Sequence, residues 1–207
     1  MVSPPARITG FTPDGAMNSG WLAFLLLFLG VLLLVLALSW RWKAGGLAIQ
    51  YLGLFWLVQP HWPLAVAAVA LISGWMAALV LAITLATLPP PESGSLIWPG
   101  GRFFRLLTIS LVVLVTFALA LRLADWLMIA LPVAWGSLLL SGTGLLLLGL
   151  SQQDLDISLG LLTTLAGFEV LYASLETSTL VVALLALIHL GMSLTAAYLL
   201  SLKGAAS

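Results

Sequence analysis

LLTTLAGFEVLYASLE, residues 161–176, is apolar enough to lie in a membrane, yet Glu169 stands inside it and Glu176 closes it. A charged side chain facing hydrocarbon is costly. Ionisable residues within membrane segments face the bundle interior, pair with one another or with carbonyls, and mark proton or ion routes. Two questions follow: whether the whole chain is embedded in a membrane, and what Glu169 faces.

Composition answers the first. The chain has 207 residues, of which 62% are hydrophobic and 7% charged. Soluble domains carry about 25% charged residues, so this chain cannot cover a water-exposed surface. Seven basic and seven acidic residues balance to a net charge of zero, and no charge run or basic patch points to nucleic acid. The absence of cysteine excludes disulfides, cysteine-ligated iron–sulfur clusters and covalent c-type haem. His61 and His189 are far apart, and no HExxH, P-loop or complete dinucleotide-binding glycine pattern is present. Gly142-Thr143-Gly144 is followed by leucines and reads as small residues for close helix packing. No cofactor and no metal site are expected.

A hydrocarbon core of ~30 Å needs about 20 apolar residues in a helix. Seven stretches qualify or nearly so: 21–39, 44–58, 63–88, 104–121, 126–150, 157–175 and 180–202. The second is short, and Gln59-Pro60-His61-Trp62-Pro63 ends it. Pro89-Pro90-Pro91 stops the third, and Pro132 kinks the fifth or marks its true start. The first apolar run is too long for the core of a cleaved signal peptide. The fold class expected is all-α: a polytopic bundle of about seven spans. The chain then divides into a polar tail (1–20), spans one to three (21–88), a cytoplasmic loop (89–103), spans four to seven (104–202) and a C-terminal tail (203–207).

Alternating spans place Arg41, Lys43, Arg102, Arg105 and Lys203 on one side and Arg7 and Arg122 on the other. The excess predicts that the first side is cytoplasmic, with the N-terminus outside and the C-terminus inside. Trp21, Trp40, Trp42, Trp62, Trp98 and Trp126 fall at predicted span ends, where aromatic belts form. The stretch from Gly30 to Ser39 leads into a polar turn and another helix, and Gly142 to Ser151 does the same at identical spacing. A parallel internal repeat is therefore topologically allowed.

Glu169 lies 12 residues into the sixth span, or ~18 Å along its axis, and His189 lies 13 residues from the inner end of the seventh, or ~20 Å. Residues 177–179 join the two, so the spans are expected to be antiparallel neighbours with both ionisable groups at matching depth. A proton relay of Glu169, His189 and Glu176 is one reading, since Glu169, Ala173 and Glu176 share a helix face by i, i+4, i+7 spacing. The plain alternative is a protonated, hydrogen-bonded Glu169 beside a structural His189. Another face of this span carries Gly160, Thr163, Thr164 and Gly167, which suit close approach of a helix such as the fifth, with its Ser137, Ser141 and Gly144. Arg122 and Asp125 read as an interfacial ion pair, Asp154 or Asp156 as an N-cap, and Gln50 as a packed polar group.

The last three spans, with SGTGLLLLGLS, the turn QQDLD and ISLGLLTTLAGFEVLYASLE, resemble the three-helix chain 4L of respiratory complex I and its longer relative, hydrogenase-4 component E. The likeness to the three-helix unit covers residues 133–202. The earlier segment SWRWKAGGLAIQYLGL resembles the longer relative. The resemblance implies an accessory, non-catalytic membrane subunit among antiporter-like subunits and lipid, in a bacterial-type plasma membrane. Its buried carboxylates would form part of a hydrated proton or cation path. Only Glu169 carries over, and not in register: the family's carboxylate lies nearer the cytoplasmic turn. That turn is basic in the family but holds Gln152, Gln153, Asp154 and Asp156 here, and His189 stands where chain 4L has a glutamate. A stand-alone proton-coupled secondary transporter and a structural membrane scaffold remain the alternatives.

Overall fold

A computed structural model describes residues 13–37, 39–87, 101–151, 153–176 and 178–206. They form seven helices: α1 (Pro13–Leu36), α2 (Trp40–Val58), α3 (Leu64–Thr87), α4 (Gly101–Leu127), α5 (Leu131–Leu150), α6 (Asp154–Leu175) and α7 (Thr179–Ala206). No strand occurs among the described residues. Six of the helices are long and apolar enough to cross a membrane, so this is an integral membrane protein; the exception is α2. Its 19 residues include Arg41, Lys43 and Gln50, which dilute its apolar character.

Several boundaries differ from the sequence expectation. Residues 13–20 are helical and continuous with α1, and α7 runs past 202 to Ala206. α4 continues through Arg122, Asp125 and Trp126, so Trp126 ends the fourth helix instead of opening the fifth. Pro132 sits in the first turn of α5, where its missing N–H has no intrahelical partner to lose. Met128 stops α4 in the left-handed region (φ 53), while the Ile129 N–H reaches back to the Ala124 carbonyl at 3.2 Å. This is the closing bond of a Schellman motif, with methionine in the position that favours glycine. Arg7, Pro89-Pro90-Pro91 and Trp98 lie outside the described residues.

Close approaches between α1 and α2 recur between α5 and α6 at a shift of 114 positions. A Cβ on Gly30 would meet the backbone of Gln50 and Gly46 at 2.6–2.8 Å, and one on Gly144 would meet that of Thr164 and Gly160 at 2.6 Å. A Cβ on Gly53 would strike Leu27 N at 2.5 Å, and one on Gly167 would strike Ser141 N at 2.6 Å. Backbones this close require glycine, because any side chain must push the helices apart. The packing thus repeats between the two halves, in a register two residues longer than the leucine pattern gave. Equivalent helices also pack on each other: α1 on α5, α2 on α6 and α3 on α7. Three links between α2 or the turn after it and α6 join residues 111–114 apart, in ascending order: Lys43 to Asp156, Tyr51 to Leu162 and Trp62 to Glu176. Contacts between equivalent positions in parallel order are what a two-fold axis along the helix direction produces. α4 lies outside this pairing, packs on α5 and α1, and is the least buried span.

Candidate functional site: a buried Glu169–His189 pair

α6 and α7 meet as antiparallel neighbours and bring Glu169 Oε2 to 4.0 Å from His189 Nε2. Both side chains are sealed from the surface, at 1% and 0% exposure. One turn earlier on α7, the Leu185 carbonyl lies 2.9 Å from His189 Nδ1. A carbonyl can only accept, so Nδ1 carries a hydrogen. In the neutral ring Nε2 then presents its lone pair toward Glu169. A protonated Glu169 would donate across this gap, and an imidazolium would donate in the other direction. The two groups are thus arranged around one exchangeable proton. At 4.0 Å they are about 1 Å beyond hydrogen-bond length, so transfer needs a small rotation of either side chain or one bridging water.

Among the described residues, neither carboxyl oxygen of Glu169 nor His189 Nε2 has a hydrogen-bond partner. Buried polar atoms almost always find a partner, and exceptions cluster where chemistry or hydration is required. The surrounding polar groups extend the pattern. Tyr51 from α2 sets its ring edge-on to His189, with centroids 5.5 Å apart at 77°. Its hydroxyl reaches the Leu162 carbonyl at 3.5 Å. Gly74 on α3 makes room for this ring: a Cβ there would lie 2.2 Å from a Tyr51 ring carbon. Gln50, Thr143 and Thr163 are wholly buried, and their side-chain polar atoms also lack a partner among the described residues.

The structure does not bring Glu176 to this pair. α6 ends at Leu175, and Glu176 has extended backbone (φ −145, ψ 151) and is exposed. The i, i+7 phase is lost because the helix has stopped. What Glu176 contributes is its carbonyl, which accepts from Trp62 Nε1 at 3.1 Å and ties the α2–α3 turn to the end of α6.

Sequence reasoning missed a second ionic site. Lys43 of α2 pairs with Asp156 of α6, and both are buried. Ser151 Oγ donates to the other Asp156 oxygen at 3.3 Å. Arg105 of α4 is also buried, donates to the Val35 carbonyl at 3.5 Å, and interacts with the Asp156 charge. Asp156 is therefore not the N-cap: Gln153 takes that position, without a side-chain cap bond. Lys43 and Arg105, counted by charge as inner-surface residues, are packed inside the end of the bundle. Arg122 and Asp125 belong to neither ion pair of the described residues. Among the described residues no three His, Asp or Glu side chains converge to hold a metal. Comparison with known proteins found no matching family model, no matching curated relative and no matching solved structure.

Proposed function

We propose that this protein is an accessory membrane subunit that carries part of a proton path, with Glu169 as proton carrier and His189 as its exchange partner. The observation that supports this most is the pair itself. A carboxyl and an imidazole face each other inside a lipid-embedded bundle, with three of their polar atoms unpartnered. A structural pair would be expected to close to hydrogen-bond length and saturate its lone pairs. Tyr51 packs edge-on against His189 and is the third group of the centre. Gln50, Thr143 and Thr163 supply further unpartnered polar atoms in the interior.

On this reading the subunit binds no redox cofactor. It serves a complex-I-like or hydrogenase-4-like assembly whose antiporter-like subunits supply the rest of the path, in a bacterial-type plasma membrane. Support for the assembly is the sequence resemblance of residues 133–202. An outside N-terminus and an inside C-terminus would require α2 to cross as well as the six longer apolar helices; the support for that orientation is the excess of basic residues in sequence at one end of the spans. Glu176, exposed at the opposite end, would act at most as a surface acceptor for protons leaving the path.

Glu169→Gln tests the proposal in native membranes. It keeps size and hydrogen-bonding capacity but cannot ionise. The expected result is loss of proton translocation with the subunit still present at its normal level. Normal translocation by the fully assembled variant would remove Glu169 from the path. Loss of the subunit from the membrane would favour a purely structural role.

A further inference from the structure

A cleft of about 540 Å³ opens between α2 and α3 on the outer surface of the bundle. Its walls include Gly45 and Ala48 of α2 and Met76 and Leu79 of α3, and Trp40 and Arg41 stand at its mouth. The volume lies within the roughly 300–1,000 Å³ typical of small-molecule sites. A Cβ on Gly45 would meet nothing within 4 Å, so this wall is open. Trp75, itself exposed, donates from Nε1 to the Ala48 carbonyl at 3.1 Å and bridges the two helices.

Depth identifies the occupant. The α2 wall runs from Trp40 to Ala48, ~12 Å at 1.5 Å per residue, and the α3 wall from Ala82 back to Ile72, ~15 Å. Half of a ~30 Å hydrocarbon core is one leaflet. The cleft thus starts at the bundle end and stops where a leaflet stops. A partner's transmembrane helix would need a groove along the full thickness. The mouth carries the matching charge: Arg41 is exposed, lies 5.5 Å over the Trp40 ring, and forms no ion pair with a described residue. Among the described residues no acidic side chain lines the cleft.

We propose that this cleft binds one anionic phospholipid of the leaflet at that end. Its phosphate sits on Arg41 beside the Trp40 indole, and one acyl chain runs between α2 and α3 as far as Trp75. Basic pockets between transmembrane helices recognise anionic headgroups in this way, and a long arginine stem reaches the headgroup layer while covering apolar surface.

The test uses the full chain reconstituted in phosphatidylcholine vesicles containing a minor fraction of phosphatidylglycerol, then re-extracted and weighed by native mass spectrometry. The wild type should retain one phosphatidylglycerol in preference to phosphatidylcholine. Arg41→Gln, an exposed change, should lower that retention about fivefold, the effect of one basic side chain at a lipid surface, without altering phosphatidylcholine retention. Ala48→Phe, which fills the groove, should lower both. Equal retention of phosphatidylglycerol by Arg41→Gln, or no preference in the wild type, overturns the proposal. The chain has no cysteine, so Gly45→Cys provides a single reporter thiol. Its shielding from a maleimide by phosphatidylglycerol but not phosphatidylcholine supports the site. Its cross-linking to a second copy or another polypeptide in native membranes assigns the cleft to a protein and overturns it.

Discussion

Two buried ionic pairs lie on α6, 13 positions apart in sequence, and they are built differently. Asp156, in the first turn, is in contact with Lys43, accepts from Ser151 and feels Arg105. Glu169, well inside the helix, faces His189 across 4.0 Å and accepts no hydrogen bond. The first pair has its charges compensated and its geometry held by α2, α6 and the α5–α6 turn. The second has a partner at the right place and polar atoms to spare. Satisfaction marks an anchor; incomplete satisfaction in a sealed site marks a group kept for exchange.

The largest effect should come from breaking the anchor. Lys43→Met leaves Asp156 buried without its closest cation, and removal of one partner of a buried pair costs about 3–5 kcal/mol. Thermal unfolding in detergent should show a large drop, and Lys43→Met combined with Asp156→Leu should recover part of it. A single variant as stable as the wild type would make the pair incidental.

Next comes the glycine seam that carries both sites. Gly167 is two residues from Glu169, and a Cβ there meets the backbone of Ser141 and Ser137 at 2.6–2.7 Å. Gly167→Ala should cost about 1–3 kcal/mol through overpacking and reduce proton translocation by displacing α6 from α5. Gly53→Ala, its counterpart in the first repeat, should cost a similar amount but spare translocation more. Stability changes of very different size at the two positions would break the equivalence of the halves.

Glu169→Gln should barely move stability, by less than about 1 kcal/mol, because no intramolecular hydrogen bond to the carboxylate is lost. Unfolding measured beside Lys43→Met makes the contrast direct, and a loss as large as that of Lys43→Met would show that the central pair is an anchor too. Smallest of all, Met128→Gly should gain roughly 1 kcal/mol by relieving the left-handed backbone. Met128 is 94% exposed and gives up no packing. No gain in unfolding temperature would mean that the turn tolerates methionine without strain.

The two pairs also differ in how far sequence reveals them. Glu169 and His189 lie on consecutive helices joined by three residues, so counting 1.5 Å per residue from each inner end places them together. Lys43 and Asp156 are 113 residues apart and sit near predicted span ends, where a charge reads as solvated or as a cap. Only the packing of α2 on α6 joins them. The face shared by Glu169 and Glu176 in the sequence does not extend to Glu176 for a local reason: face geometry holds only while the helix continues, and α6 ends one residue earlier. Tyr51 was passed over because a lone tyrosine in an apolar run reads as packing. The repeat was visible in outline, but leucine runs align equally well in several registers. The glycines at 30, 46 and 53 and at 144, 160 and 167 fix it, because each must meet a backbone.

Infrared difference spectroscopy on the assembled membrane protein, recorded as proton translocation is switched on, tests most directly whether Glu169 changes protonation. The expected result is a carboxylic C=O band that changes with turnover, disappears in Glu169→Gln and survives Asp156→Asn. Active turnover with no carboxyl change assignable to Glu169 would contradict a proton-carrying role and leave the pair as part of the scaffold.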